Sequence, residues 1–142
     1  MATTSKSIKY VIYQDKRKGG TGKYYGKAIH ENEIGLDELA TRIQAGCTLK
    51  RSDITACIIE LIEVMQDELL AGNVVNLDGL GSFRINIESS GSDTAEEYSA
   101  TENIVGCHVR FLPTGTKDTA TGKVTRTLTA GAKFEKATTY RA

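Results

Sequence analysis

The segment 51–71 constrains this chain more than any other. Ile54, Ile58, Leu61, Ile62, Met65 and Leu69 recur at helical spacing and make one stripe. Ile59 and Val64 fall outside that stripe, so the apolar arc is wide, and Gly72 stands where the helix must end. A wide arc on a long helix calls for burial on more than one side. The rest of the chain offers little to supply it. One short amphipathic helix is predicted over 36–45, from Leu36, Leu39, Ala40 and Ile43, with Asp37 and Glu38 in the first turn where the helix dipole favours anions. The simplest cover for the long helix is a second copy of the chain. The alternative is a larger internal core, for which apolar residues are short.

The remaining elements read as strands. Residues 8–14 are β-branched and aromatic, residues 23–29 are weaker but similar, and Gly19, Gly20 and Gly22 lie between them. This pattern predicts a β-hairpin with a flexible basic loop. After the long helix, 73–77 is a strand, and Gly79-Leu80-Gly81 makes a tight turn into 82–88. There Phe83, Ile85 and Ile87 alternate with Ser82, Arg84 and Asn86. Residues 89–103 are polar and acidic and read as a hairpin tip or loop. Residues 104–112 alternate again, with Val105, Cys107, Val109 and Phe111 on one face, His108 and Arg110 on the other, and Pro113 stopping the strand. Residues 114–133 are rich in Thr and Gly with few large aliphatics, which predicts a mobile or loosely packed segment. Phe134 is placed to dock the end of the chain on the body.

Charge is distributed unevenly behind a formal net charge of zero. Residues 1–30 carry seven basic side chains against Asp15 alone, residues 31–103 carry four against fifteen acidic, and residues 104–142 carry seven against Asp118 and Glu135. Basic ends suit a nucleic-acid surface; they equally suit solvated tails drawn to an acidic centre. The chemistry of catalysis is missing. Gly22-Lys23 resembles the end of a phosphate loop, but no Gly precedes Gly22 by five residues and Tyr24 occupies the Ser/Thr position. Cys47, Cys57 and Cys107 have no metal-site spacing and read as small apolar residues in reduced form. His30 and His108 lie far apart and read as structural or surface residues. Glu60 and Glu63 share a helix face but read as its solvated side. No enzyme, cofactor or metal is expected. No apolar run reaches the ~20 residues of a membrane span, and the opening Met-Ala-Thr-Thr-Ser-Lys lacks a signal core, so a cytoplasmic location is expected.

One stretch is more specific. In 70–83, Gly72, Asn73, Val75, Leu77, Gly79, Gly81 and Phe83 stand at the spacing of the Gly-Asp/Asn-x-Val-x-Leu and Gly-Phe-Gly-x-Phe pattern that follows the long helix in HU/IHF proteins, bacterial histone-like DNA-binding proteins. Leu80 replaces the usual Phe. Val109-Arg110-Phe111-Leu112-Pro113 resembles the strand leading to that family's last helix, and the basic hairpin with Lys23-Tyr24-Tyr25 resembles an HU-related subgroup with extensions. The resemblance covers about residues 35–112. It implies an α+β fold of two helices followed by an antiparallel sheet with a projecting β-arm, in an intertwined homodimer, with Ile58, Leu61, Ile62, Met65, Leu69, Leu77, Gly79, Gly81 and Phe83 as the fold and dimer core. The expected organisation is a basic hairpin extension (1–34), an HU-like core (35–112) and a Thr/Gly-rich extension (113–142).

The function the resemblance implies is non-sequence-specific, architectural binding of double-stranded DNA through the phosphate backbone and minor groove, in the bacterial nucleoid. Arg84, Arg110 and Lys117 resemble basic sites near the family's saddle, and Lys16, Arg17, Lys18 and Lys23 form a further basic patch. Ordinary solvated charge is the competing reading for each. This chain departs from the family in three places. The arm region 88–103 carries Glu88, Asp93, Glu96, Glu97 and Glu102 and no Lys or Arg. Lys50 stands where Ser or Thr usually caps the long helix, leaving Thr48 or Ser52 as caps. Residues 114–133 do not read as a C-terminal helix. The acidic arm keeps a second reading open, an HU-like structural module that has lost most DNA binding and holds a protein partner.

Overall fold

A computed structural model describes residues 6–138. The first five residues of the expected N-terminal extension and the last four of the C-terminal one lie outside them. The chain divides into two compact units, Met1–Gly35 with Gly131–Ala142, and Leu36–Ala130. This partition differs from the expected one. The stretch 113–142 is split, its first part joining the helical unit and its end joining the N-terminal hairpin.

In the first unit, β1 (Ile8–Gln14) and β2 (Tyr24–Ala28) form the predicted antiparallel hairpin, in register from Tyr10↔Ala28 to Gln14↔Tyr24. A third strand, β8 (Phe134–Lys136), pairs parallel to β1, giving the order β2-β1-β8. Phe134 thus reaches the hairpin through its backbone, and its ring remains exposed.

The second unit begins with α1 (Leu36–Gln44) and α2 (Arg51–Leu70). Neither Thr48 nor Ser52 caps α2. The N-cap is Lys50, whose side chain makes no cap bond; the Arg51 N–H instead donates to Gln44 Oε1 of α1 at 2.8 Å. The same junction is tied by Arg51 to Asp37, 3.1 Å apart. At the other end the Gly72 N–H donates to the Leu69 carbonyl and the Asn73 N–H to the Glu68 carbonyl, each at 3.0 Å. This double closure requires a left-handed residue after the cap, and Gly72 supplies it with φ +85°.

β3 (Val75–Leu77), β4 (Gly81–Ser89) and β5 (Ile104–Pro113) follow as an antiparallel sheet in the order β3-β4-β5. The turn between β3 and β4 closes with the Leu80 N–H on the Leu77 carbonyl, and Gly79 sits in it at φ +86°. Gly81 is buried where the strands cross closely: a Cβ there would strike the Leu112 carbonyl and lie 2.6 Å from the Phe111 ring. Phe83 pairs with Phe111 and their rings stack at 4.7 Å. The predicted alternation of β5 holds from Cys107 to Phe111 and fails at Val105, because the register shifts between Glu88 and Ser89.

Residues 90–103 close the ladder compactly. The one-turn helix α3 (Ala100–Asn103) brings in Asn103, which is buried. Its side chain accepts from the Ser99 N–H and donates to Ser90 Oγ and the Gly91 carbonyl. The β4–β5 ladder therefore ends in a folded cap. Within the Thr/Gly-rich segment, β6 (Gly115–Lys117) and β7 (Val124–Arg126) form an antiparallel hairpin that the sequence reading did not predict, anchored by Arg126 donating to the Pro113 carbonyl at 2.9 Å, while residues 115–125 stay exposed. Threonine suits a pleated strand even where little apolar surface is buried.

Candidate nucleic-acid interface

The two faces of the β4–β5 ladder differ in kind. On one, Phe83, Ile85 and Ile87 stand opposite Phe111, Val109 and Cys107. Together with Ile62, Met65 and Leu69 of α2, residues of this face line a cavity of about 350 Å³ whose walls are almost wholly apolar. That surface is open. Ile62 is 59% exposed, Leu70 71% and Val109 55%, and the buried apolar residues of the described chain are Ala40, Ile54 and Leu69. Of the expected fold and dimer core, Leu69 and Gly81 are buried, Ile58, Met65, Leu77 and Phe83 are half-buried, and Leu61, Ile62 and Gly79 are exposed. Of these nine, Ile62, Met65, Leu69 and Phe83 line the apolar cavity, which a single chain leaves open.

The other face is polar. Arg84 stands directly opposite Arg110, and Asn86 opposite His108. Both arginines are exposed, and among the described residues neither makes an ion pair. Like charges in direct cross-strand register repel each other, and two guanidinium forks side by side match the oxygens of an anion such as phosphate. The acid nearest along the strand, Glu88, faces His108 Nδ1 at 3.1 Å. Lys117 lies elsewhere in the unit, on the β6–β7 hairpin opposite Val124, and is exposed.

The other four predicted residues lie in the first unit, on the β1–β2 loop. Lys16, Lys18 and Lys23 are exposed and, among the described residues, make no ion pair. Arg17 is already engaged, its Nε and Nη2 on the two carboxylate oxygens of Asp15 at 2.9 and 3.1 Å. Those bonds, with the Arg17 N–H, hold the Asp15 carboxyl below the usual carboxylate range. Asp15 is turned inward at 7% exposure, so the loop shows solvent its cations and hides its acid. Sequence reasoning identified the loop's charge but not this internal pairing, for which only the short Asp15–Arg17 spacing offered a hint.

Among the described residues no group of three His, Cys, Asp or Glu side chains could hold a metal, and no helix is long and apolar enough to cross a membrane.

The family model of HU-HIG, "HU domain fused to wHTH, Ig, or Glycine-rich motif", matches residues 7–127. The chain belongs to this HU-HIG family. The match begins well before residue 35, so the basic hairpin falls within the family pattern together with both helices, the sheet and the β6–β7 hairpin. Among solved structures, HU-HIG residues here resemble the crystal structure of a putative bacterial DNA binding protein from Bacteroides vulgatus ATCC 8482, at 14% identity and a TM-score of 0.55. The likeness covers 83% of this chain and 57% of that one, so the chain spans little more than half of that structure. At such identity the likeness is one of fold. No curated protein matches the sequence.

Proposed function

We propose that this chain is an architectural, sequence-tolerant duplex DNA-binding protein that acts as a homodimer in the bacterial cytoplasm, at the nucleoid. One observation carries the reading: the β4–β5 ladder has an open apolar face that needs a partner, and on its reverse an unpaired Arg84–Arg110 couple suited to phosphate. HU-HIG membership and the fold likeness to a DNA binding protein support it. A second copy laid on α2 and the apolar sheet face would bury Ile62, Leu70, Val109 and Ile87. Arg84 and Arg110 would then hold the phosphate backbone, with Lys117 and the loop residues Lys16, Arg17, Lys18 and Lys23 adding charge.

The minor-groove contact implied by the HU resemblance has less support. The cap 90–103 carries Asp93, Glu96, Glu97 and Glu102 without a cation, and acid repels phosphate. The backbone contact is therefore the main one in this reading. Gel-shift titration with linear, nicked and bent duplexes at two salt concentrations tests it, beside the mass in solution. The expected result is a dimer whose affinity falls with salt at a log–log slope of about −0.9 per phosphate contact. Absence of duplex binding at low salt would refute duplex DNA as the partner. Protein recovered in a pull-down regardless of nuclease treatment would then favour the HU-like module that holds a protein.

A further inference from the structure

The sheet of the first unit carries an aromatic pair that duplex binding leaves unused. Tyr13 of β1 stands directly opposite Tyr25 of β2. Their ring centroids are 6.0 Å apart with planes at 35°, and they are 48% and 42% exposed. The Tyr25 hydroxyl is fixed by Thr21 Oγ1 at 2.8 Å. Alternation along the strands puts Val11 and Lys27, which pair with each other, on the same face. The β1–β2 loop, with Lys16, Lys18 and Lys23, adjoins the other end of the tyrosine pair. The tyrosines thus lie between cations on both sides. The loop's one acid, Asp15, is buried against Arg17. The other acids near this face lie at the far end of β1 from Tyr13: Glu135 pairs in register with Lys9, and Glu31 makes an ion pair with Lys9 at 2.6 Å.

We propose that this face binds single-stranded nucleic acid, with bases stacked on Tyr13 and Tyr25 and phosphates held by Lys27 and the loop lysines. An exposed aromatic pair flanked by cations is the combination that such strands need. Every base has a π-face for the rings, and the backbone supplies anions at short intervals. A duplex hides its base faces and cannot use the tyrosines. A protein partner could pack on the rings but would need acidic groups to meet the lysines, whereas a single strand supplies both base faces and phosphates. The loop lysines are common to single-strand and duplex binding as proposed, but Tyr13, Tyr25 and Lys27 belong to single-strand binding alone, and the tests below act on them.

The chain has no tryptophan and six tyrosines, so its intrinsic fluorescence reports directly on tyrosine stacking. Full-length protein is titrated with a short oligothymidylate and a short oligouridylate at low salt, and in parallel with a duplex by gel shift. Saturable quenching by either single strand is expected. Tyr13→Ile and Tyr25→Ile keep β-forming side chains but remove the rings; each is expected to weaken single-strand binding on the order of tenfold, with duplex binding unchanged. Tyr25→Phe keeps the ring and is expected to retain binding. Lys27→Gln leaves the rings in place and is expected to lower the salt slope for single strands by about 0.7. Three results would overturn the proposal: no saturable quenching by either oligonucleotide, wild-type single-strand affinity in a folded Tyr→Ile variant, or single-strand and duplex affinities falling together. The last would merge this face with the duplex site. Failure of duplex binding alone would leave the proposal standing.

Discussion

Substitution of Ile62 tests the dimer directly. Ile62 lines the apolar cavity between α2 and the sheet and is 59% exposed in the single chain. Fully burying an isoleucine side chain contributes about 1.5–3 kcal/mol, so covering the exposed fraction corresponds to about 1–2 kcal/mol per copy. In a two-fold interface each position counts twice. Loss of that burial therefore costs the dimer about 2–4 kcal/mol, or roughly 30- to 1,000-fold in dissociation constant. Ile62→Ala, which keeps a Cβ, belongs at the lower end. Ile62→Glu adds the desolvation of two carboxylates, several kcal/mol each, and is expected to be monomeric at micromolar concentration. Glu60→Gln, on the solvated side of α2, is the control and should leave the association unchanged. Analytical ultracentrifugation over a concentration series reads all three. An Ile62→Glu protein sedimenting with the wild-type dimer mass, or a wild-type protein that is monomeric throughout, refutes the reasoning that this face is closed by a second copy.

Other consequences follow from the same geometry. Arg84→Gln and Arg110→Gln each lower the duplex salt slope by about 0.9 per lost contact, about 1.8 where both copies of the dimer engage phosphate, while raising stability by roughly 0.2–1 kcal/mol through relief of like-charge repulsion; a lower urea midpoint in both would show that the pair serves the fold. Gly81→Ala forces a Cβ onto the Leu112 carbonyl and the Phe111 ring, and an overpacked core site of this kind costs about 1–3 kcal/mol, read as a shifted urea midpoint with unchanged slope. Asp15 is held below the usual carboxylate range, first by its side-chain bond to Arg17. Its contribution is therefore complete above the ordinary value of about 3.9 and is lost as pH falls through the lower folded value. Carboxyl-carbon NMR titration should show Asp15 titrating below that ordinary value, and Arg17→Ala should move it back up.

Much of the chain was legible without coordinates. The ends of α2, both strands of the basic hairpin and the alternation of β4 rest on signals read over a few residues: helical period, a closing glycine, period two. Arg84 and Arg110 were identified singly as basic positions. Their direct opposition was not, because it depends on the register between two strands separated by the 90–103 cap. The cap of α2 shows the same limit. Its donor is met by Gln44 of the preceding helix, and no pattern around Lys50 announces a partner seven residues back. The β6–β7 hairpin was not legible because its strands bury little apolar surface and rest on the β preference of threonine.

Sequence alone determined that this chain holds a long helix with more apolar surface than one copy can cover, and a basic loop between two strands. Both follow from local spacing and charge, which survive without any knowledge of the fold. Tertiary structure decided where the chain end goes, since β8 is three residues long and pairs with β1 from more than a hundred residues away. It decided equally that two arginines share one spot and that two tyrosines face each other across a hairpin. Juxtapositions of this kind come from strand register, a property of pairs of segments that neither segment encodes by itself.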